Sequence, residues 1–134
     1  MNEFKLKLPN GITLSPTLFE RDLEYIKVKN VRNMHNGFVW YDLNPVDIDN
    51  KSITFSMCFF QGTIYSVTIA IHNPELYGNS WNDFTQEKEI ARFKDTQSWL
   101  LSHGYEVGQY AWGNIWAGFD SKGGFGSVSV RFVL

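Results

Sequence analysis

The sequence predicts an α+β fold: an antiparallel sheet of β-hairpins and a meander, with a short N-terminal helix and one long helix packed on one face. Three observations predict it. Phe, Tyr and Trp make up 16% of the residues, and such rings favour pleated, half-buried surfaces. Apolar and polar residues alternate over several short runs, and Gly stands where the runs turn back. One stretch, about residues 83–103, carries a helical stripe long enough to cross a sheet.

The opening reads as a hairpin. Phe4, Leu6 and Leu8 alternate with polar residues, as do Ile12 and Leu14, and Pro9-Asn10-Gly11 lies between them. A three-residue loop ending in a left-handed Gly11 pairs Leu8 with Ile12 and Leu6 with Leu14, placing every apolar side chain on one face. Thr17 and Glu20 have capping-box spacing, and Phe19, Leu23 and Ile26 follow at helical intervals, which predicts the short helix. A meander comes next. Gly37 to Leu43 is a candidate strand interrupted by Asn44-Pro45. Ile53, Phe55, Met57 and Phe59 face the core from the following strand, and Tyr65, Val67, Ile69 and Ile71 from the one after. A two-residue Gln61-Gly62 turn would set Met57 against Ser66, core face against polar face. A three-residue Phe60-Gln61-Gly62 loop, pairing Met57 with Tyr65 and Phe55 with Val67, is therefore expected.

The long helix begins within Ser80–Thr85 and ends near His103, before Gly104. Its predicted inner stripe is Gln86, Ile90, Phe93, Gln97, Leu100 and Leu101, with Lys88, Arg92, Asp95 and Trp99 opposite. In the last hairpin a Ser121-Lys122-Gly123 loop sets Trp116 opposite Val128, Trp112 opposite Phe132 and Gly118 opposite Gly126. Bare glycines across from each other would admit a ring or another backbone. The alternative inward face of the same strand is Ile115, Ala117 and Phe119.

A chain of 134 residues has the size of one domain, 1–134, and no linker or repeat divides it. The formal net charge of −2, without a basic run, argues against nucleic acid. The start lacks the apolar stretch of a signal peptide, and no run reaches membrane length, so a cytoplasmic home is expected.

Chemistry finds little purchase in the spacing. Cys58 stands mid-strand, several residue spacings from His72, and reads as a packed thiol and not as a nucleophile. His35, His72 and His103 have no metal-ligand spacing, and Asp47-Ile48-Asp49-Asn50 lacks the Gly and distal Glu of a calcium loop, so it reads as a hairpin turn. Gly123-Gly124-Phe125-Gly126 leads into a strand, whereas a phosphate cradle leads into a helix. No catalytic residue, metal or cofactor is predicted. The aromatics remain. Tyr110, Trp112 and Trp116, with Arg131 nearby and Trp99 on the polar side of the helix, would suit a partner surface if exposed, and would be core rings if buried.

Leu8-Pro9-Asn10-Gly11-Ile12-Thr13-Leu14-Ser15-Pro16, Ser80-Trp81 ahead of Glu87-Lys88-Glu89, and Trp112-Gly113 through Trp116-Ala117-Gly118-Phe119-Asp120 resemble a group of small bacterial domains of uncharacterised function. Some domains of that kind resemble immunity proteins, acidic binders that occlude a bacterial toxin. The resemblance implies a non-catalytic protein-binding module. The competing expectation is a small-molecule binder or enzyme with a pocket between sheet and helix, marked by the polar Gln97 in an apolar stripe. Homodimerisation through an edge strand is a third.

Overall fold

The N-terminal hairpin forms in the register its alternation dictates. In a computed structural model describing residues 3–78, 85–120 and 125–132, β1 (Leu6–Lys7) and β2 (Thr13–Leu14) pair Leu6 with Leu14. The Leu8 N–H donates to the Ile12 carbonyl (2.8 Å), and Gly11 takes the left-handed conformation at φ 93°.

The expected short helix shrinks to one 3₁₀ turn, Glu20–Leu23. The Ser15 and Thr17 hydroxyls bond each other (2.9 Å), so Thr17 does not cap, and the Phe19 N–H finds Asp22 instead (2.9 Å). Glu20 is drawn away as well. It accepts a 2.6 Å bond from the Tyr41 hydroxyl, whose pKa is pushed up to about 12 by burial and then by this bond. Leu23 is buried as expected, but Phe19 is exposed and bridges to Thr63.

Eight strands form one antiparallel sheet: β3 (Val28–Asn33), β4 (Phe38–Leu43), β5 (Val46–Ile48), β6 (Lys51–Phe60), β7 (Thr63–Ile71), β8 (Gly108–Tyr110), β9 (Gly113–Asp120) and β10 (Phe125–Phe132). Their order is β3-β4-β6-β7-β10-β9-β8, with β5 beside β4 on the same edge of β6. The β6–β7 hairpin corrects the expected loop. Its turn has two residues, Gln61 (φ 50°) and Gly62 (φ 88°), both at positive φ as this tight hairpin requires. The facing problem this creates is solved by a bulge: Phe59 pairs with Ile64 but Cys58 pairs with Ser66, leaving Tyr65 extra. Beyond the bulge Met57 faces Val67 and Phe55 faces Ile69, two residues from the expected register. Val67, Ile69 and Ile71 keep the predicted core face, whereas Tyr65, expected beside them, is turned to the other face by the bulge and Ile64 is buried in its stead.

The final hairpin takes the alternative face. Ala117 pairs with Val128 and Ile115 with Val130, whereas Trp116 lies opposite Ser129. β10 is also bound to β7 through Val128–Ile69 and Val130–Val67, which fixes its core face, and β9 must match it with Ile115 and Ala117. Asp120 pairs with Phe125, so the connection is longer than the expected three residues; Gly123 lies outside the described residues. Gly118 and Gly126 are thus not opposite each other. Each still admits a close neighbour, on opposite faces of the sheet. A Cβ on Gly118 would meet the Trp116 ring at 2.5 Å, and one on Gly126 would meet the Glu89 carbonyl oxygen at 1.9 Å.

After α1 (Pro74–Tyr77) comes α2 (Gln86–Ser102), capped by the Thr85 hydroxyl accepting from the Lys88 N–H (3.1 Å). The predicted start across 80–84 lies outside the described residues. The predicted stripe is rotated. Glu89, Thr96, Trp99 and Leu100 are buried, while Gln86 and Leu101 are exposed. Polar docking explains the difference. Glu89 Oε1 accepts from the Gly126 N–H (2.9 Å), Thr96 accepts from the Ile71 N–H (3.1 Å), and the Trp99 indole donates to Asp49 (3.0 Å). Buried donors at sheet positions are costly without acceptors, so these bonds outrank a purely apolar stripe.

α2 packs on β10, β9 and β7, and the N-terminal hairpin covers the adjoining part of the same face, with Phe4 against the rings of Tyr105, Trp112 and Phe132 at 4.6–6.0 Å. Between them Phe55, Met57, Phe59, Val67, Ile69, Val128 and Val130 are fully buried, each contributing roughly 1.5–3 kcal/mol. No helix among the described residues is long and apolar enough to cross a membrane.

Candidate functional site

The residues predicted as a partner surface divide between the two faces of the sheet. Trp99 (4% exposed) and Trp112 (8%) are core residues and leave the candidate surface. Trp112 is enclosed by Phe4, Phe132 and Tyr110, the last stacked on it at 5.0 Å with its hydroxyl donating to the Glu106 carbonyl. Trp99 is closed in by its bond to Asp49 and the His103 ring at 4.8 Å. Trp116 and Arg131, on the opposite face, are exposed, Trp116 by 51%. Gln97 is half-buried, but the space between sheet and helix is filled. Its recess, about 260 Å³, is bounded by Leu101, Tyr105, Glu106 and Val107 at the end of the helix.

No described helix crosses the outer face. Its floor is small and polar, with Ser56, Ser66, Thr68 and Ser129 on the three central strands. Aromatic side chains flank it. On one side Phe38 contacts Phe60 (4.6 Å) and Tyr65 (5.2 Å), and Trp40 lies opposite Cys58. On the other, Trp116 lies over Gly118. From β4 to β9 is four strand spacings, roughly 19 Å. The β6–β7 bulge turns the extra Tyr65 toward this face, where the Arg131 guanidinium stacks on it at 5.2 Å. Residue type and spacing alone do not nominate Trp40, Phe38 or Tyr65 as site residues. The β4 alternation could have placed Trp40 and Phe38, but Tyr65 depends on the bulge.

At the margin of this face Arg32 grips Asp42 with two bonds (2.8 and 2.9 Å) and stacks on Trp40 at 5.2 Å. Burial raises the Asp42 pKa, but the bonds from Arg32, with help from Ser56 and Asn30, outweigh it and hold the carboxyl below its usual range. A folded-state pKa below the unfolded one gives stability that is present above about pH 4 and fades as the pH falls through the folded value. Asp42→Asn is therefore expected to flatten the acid limb of a stability–pH profile below about pH 4, measured by denaturant midpoints. An unchanged limb would show that this pair contributes nothing.

Cys58 is buried beside Ser66, and burial pushes its thiol pKa up, away from the thiolate a nucleophile needs. His72 lies beyond the Ile53–Ile71 pair, at the far end of the hairpin. Among the described residues no three His, Cys, Asp or Glu side chains come together to hold a metal.

The larger cleft, about 690 Å³, opens at the C-terminal end of α2 between Asp49, Asn73, Tyr77, Asp95, Trp99 and His103. Its polar groups mostly bind one another. Asp49, at the tip of the predicted β5–β6 turn, takes His103 (2.6 Å) and Trp99 (3.0 Å), bonds that hold its carboxyl below the usual range. Asp95 accepts from the Tyr77 hydroxyl, and Asn73 from the Leu76 N–H. The cluster ties a hairpin tip to the helix end, with few convergent groups left for a ligand. No protein-family model, curated protein or solved structure matches this chain.

Proposed function

We propose that this chain is a non-catalytic protein-binding module of the immunity-protein kind, which presents its outer sheet face to a partner protein. The observation that carries the reading is Trp116, held half exposed on a face that no described helix covers. Its pose is supported locally: a Cβ at position 118 would stand 2.5 Å from the ring, so glycine there leaves room for it. Trp, Tyr and Arg are the residue types that dominate binding energy at interfaces, and Trp116, Trp40, Tyr65 and Arg131 share this face. The small hydroxyl-bearing floor between them offers adaptable hydrogen bonds without steric obstruction.

Trp116→Ala tests the reading. Its stability is expected to stay within about 1 kcal/mol of the wild type, because the ring is half in water already. Affinity for the partner captured from the native host is expected to fall by about tenfold or more. Unchanged affinity with unchanged stability would sink the proposal.

A further inference from the structure

We infer that the free edge of β3 is a docking site for an acidic, extended segment of a partner protein, which adds to the sheet as a further strand. This rests on the protein-binding reading and names a second element of the same interaction. β3 ends the sheet order, with β4 on one side and no described strand on the other. The phase of its ladder can be read from the turn. The Met34 N–H donates to the Phe38 carbonyl (3.0 Å), so Arg32–Trp40 and Asn30–Asp42 are the hydrogen-bonded pairs. Val31 and Asn33 consequently turn their backbone donors and acceptors outward, spaced as an incoming strand needs.

Charge selects the occupant. From Lys27 to Tyr41 the chain carries Lys27, Lys29 and Arg32 and no acidic residue, although the whole protein is net −2. Arg32 is engaged by Asp42. Lys27 and Lys29 are exposed and form no ion pair among the described residues. Val31 (48% exposed) and Met34 (52%) add apolar contact beside these charges. A second copy of this chain would bring its own Lys27 and Lys29 to the same edge and, between Lys27 and Tyr41, no acidic residue to meet them. A strand alternating acidic and apolar residues meets both features. The opposite edge, β8, has only three residues and offers a shorter ladder.

The experiment uses the full chain, isotope-labelled for NMR, titrated with a synthetic peptide of alternating Glu and Val and with its Lys-for-Glu counterpart. The Glu peptide is expected to shift the Val31 and Asn33 amides, slow their hydrogen exchange and bind about tenfold tighter than the Lys peptide. Lys27→Glu with Lys29→Glu should reverse that preference. Val31→Pro should abolish binding yet keep the Met34 amide protected, because the Val31 N–H is not part of the β3–β4 ladder. Equal affinity for the two peptides, no binding of either, or self-association through Val31 and Asn33 would overturn the inference and leave Lys27 and Lys29 as guards against edge pairing. The two readings fail separately. If the peptides fail while Trp116→Ala still weakens partner capture, the edge inference falls alone. If the Glu peptide docks at β3 while Trp116→Ala changes nothing, the outer-face reading falls alone.

Discussion

Gly126→Ala is expected to destabilise the protein by about 3 kcal/mol, seen as a drop in denaturant midpoint with an unchanged slope. The added methyl would stand 1.9 Å from the Glu89 carbonyl oxygen and 2.8 Å from its carbon, both helix backbone. A side chain could swing aside, but a helix backbone has to lift as a unit. Lifting would also stretch the buried bond from the Gly126 N–H to Glu89 Oε1 (2.9 Å). Gly11→Ala supplies the contrast. Nothing lies within 4 Å of its added methyl, and the positive φ of 93° is the only penalty, on the order of 1 kcal/mol. Equal losses at the two sites would contradict close backbone contact between α2 and β10.

Glu89→Ala is expected to cost about 3–5 kcal/mol, because it removes one partner from a nearly buried ion pair. The Glu89 carboxylate serves two donors, the Gly126 N–H through Oε1 and Arg92 through Oε2 at 3.4 Å. Arg92 lies between the rings of Tyr77 (5.1 Å) and Phe125 (4.8 Å), and its Nε has no protein partner among the described residues. Burial pushes the Arg92 pKa down, and the charge of Glu89 is the largest influence resisting this. Without Glu89 the guanidinium would be left uncompensated. Glu89→Gln, which retains an acceptor for Gly126, should lose less, and combining Glu89→Ala with Arg92→Leu should recover part of the loss. Thermal melts of the three variants check the order. If Glu89→Gln is as damaging as Glu89→Ala, the charge and not the hydrogen bond holds the helix.

Local features were legible in the sequence where one element alone decides them. The first hairpin obeyed its Pro9-Asn10-Gly11 loop, and Gly104 stopped the helix at φ 94°. Features decided by two elements together were not. The Gln61-Gly62 turn reads as a facing conflict until a bulge at Tyr65 resolves it, and no residue type announces that bulge. The helix stripe depended on acceptors for the N–H groups of Ile71 and Gly126, which belong to strands distant in sequence. For the candidate site, Trp116 and Arg131 stand out by residue type, yet so do Trp99 and Trp112, although both are buried. A Trp looks the same in sequence whether its face of a strand meets a helix or water. The register of β9 against β10 makes that choice, and β10 takes its own from β7.

The indole N–H signals of Trp40, Trp99, Trp112 and Trp116 test the binding account most directly, since the two faces of the sheet divide them. Addition of the captured partner is predicted to shift Trp116 and Trp40 and to leave Trp99 and Trp112 in place. Shifts at Trp99 and Trp112, with Trp116 and Trp40 unmoved, would contradict the outer face as the binding surface.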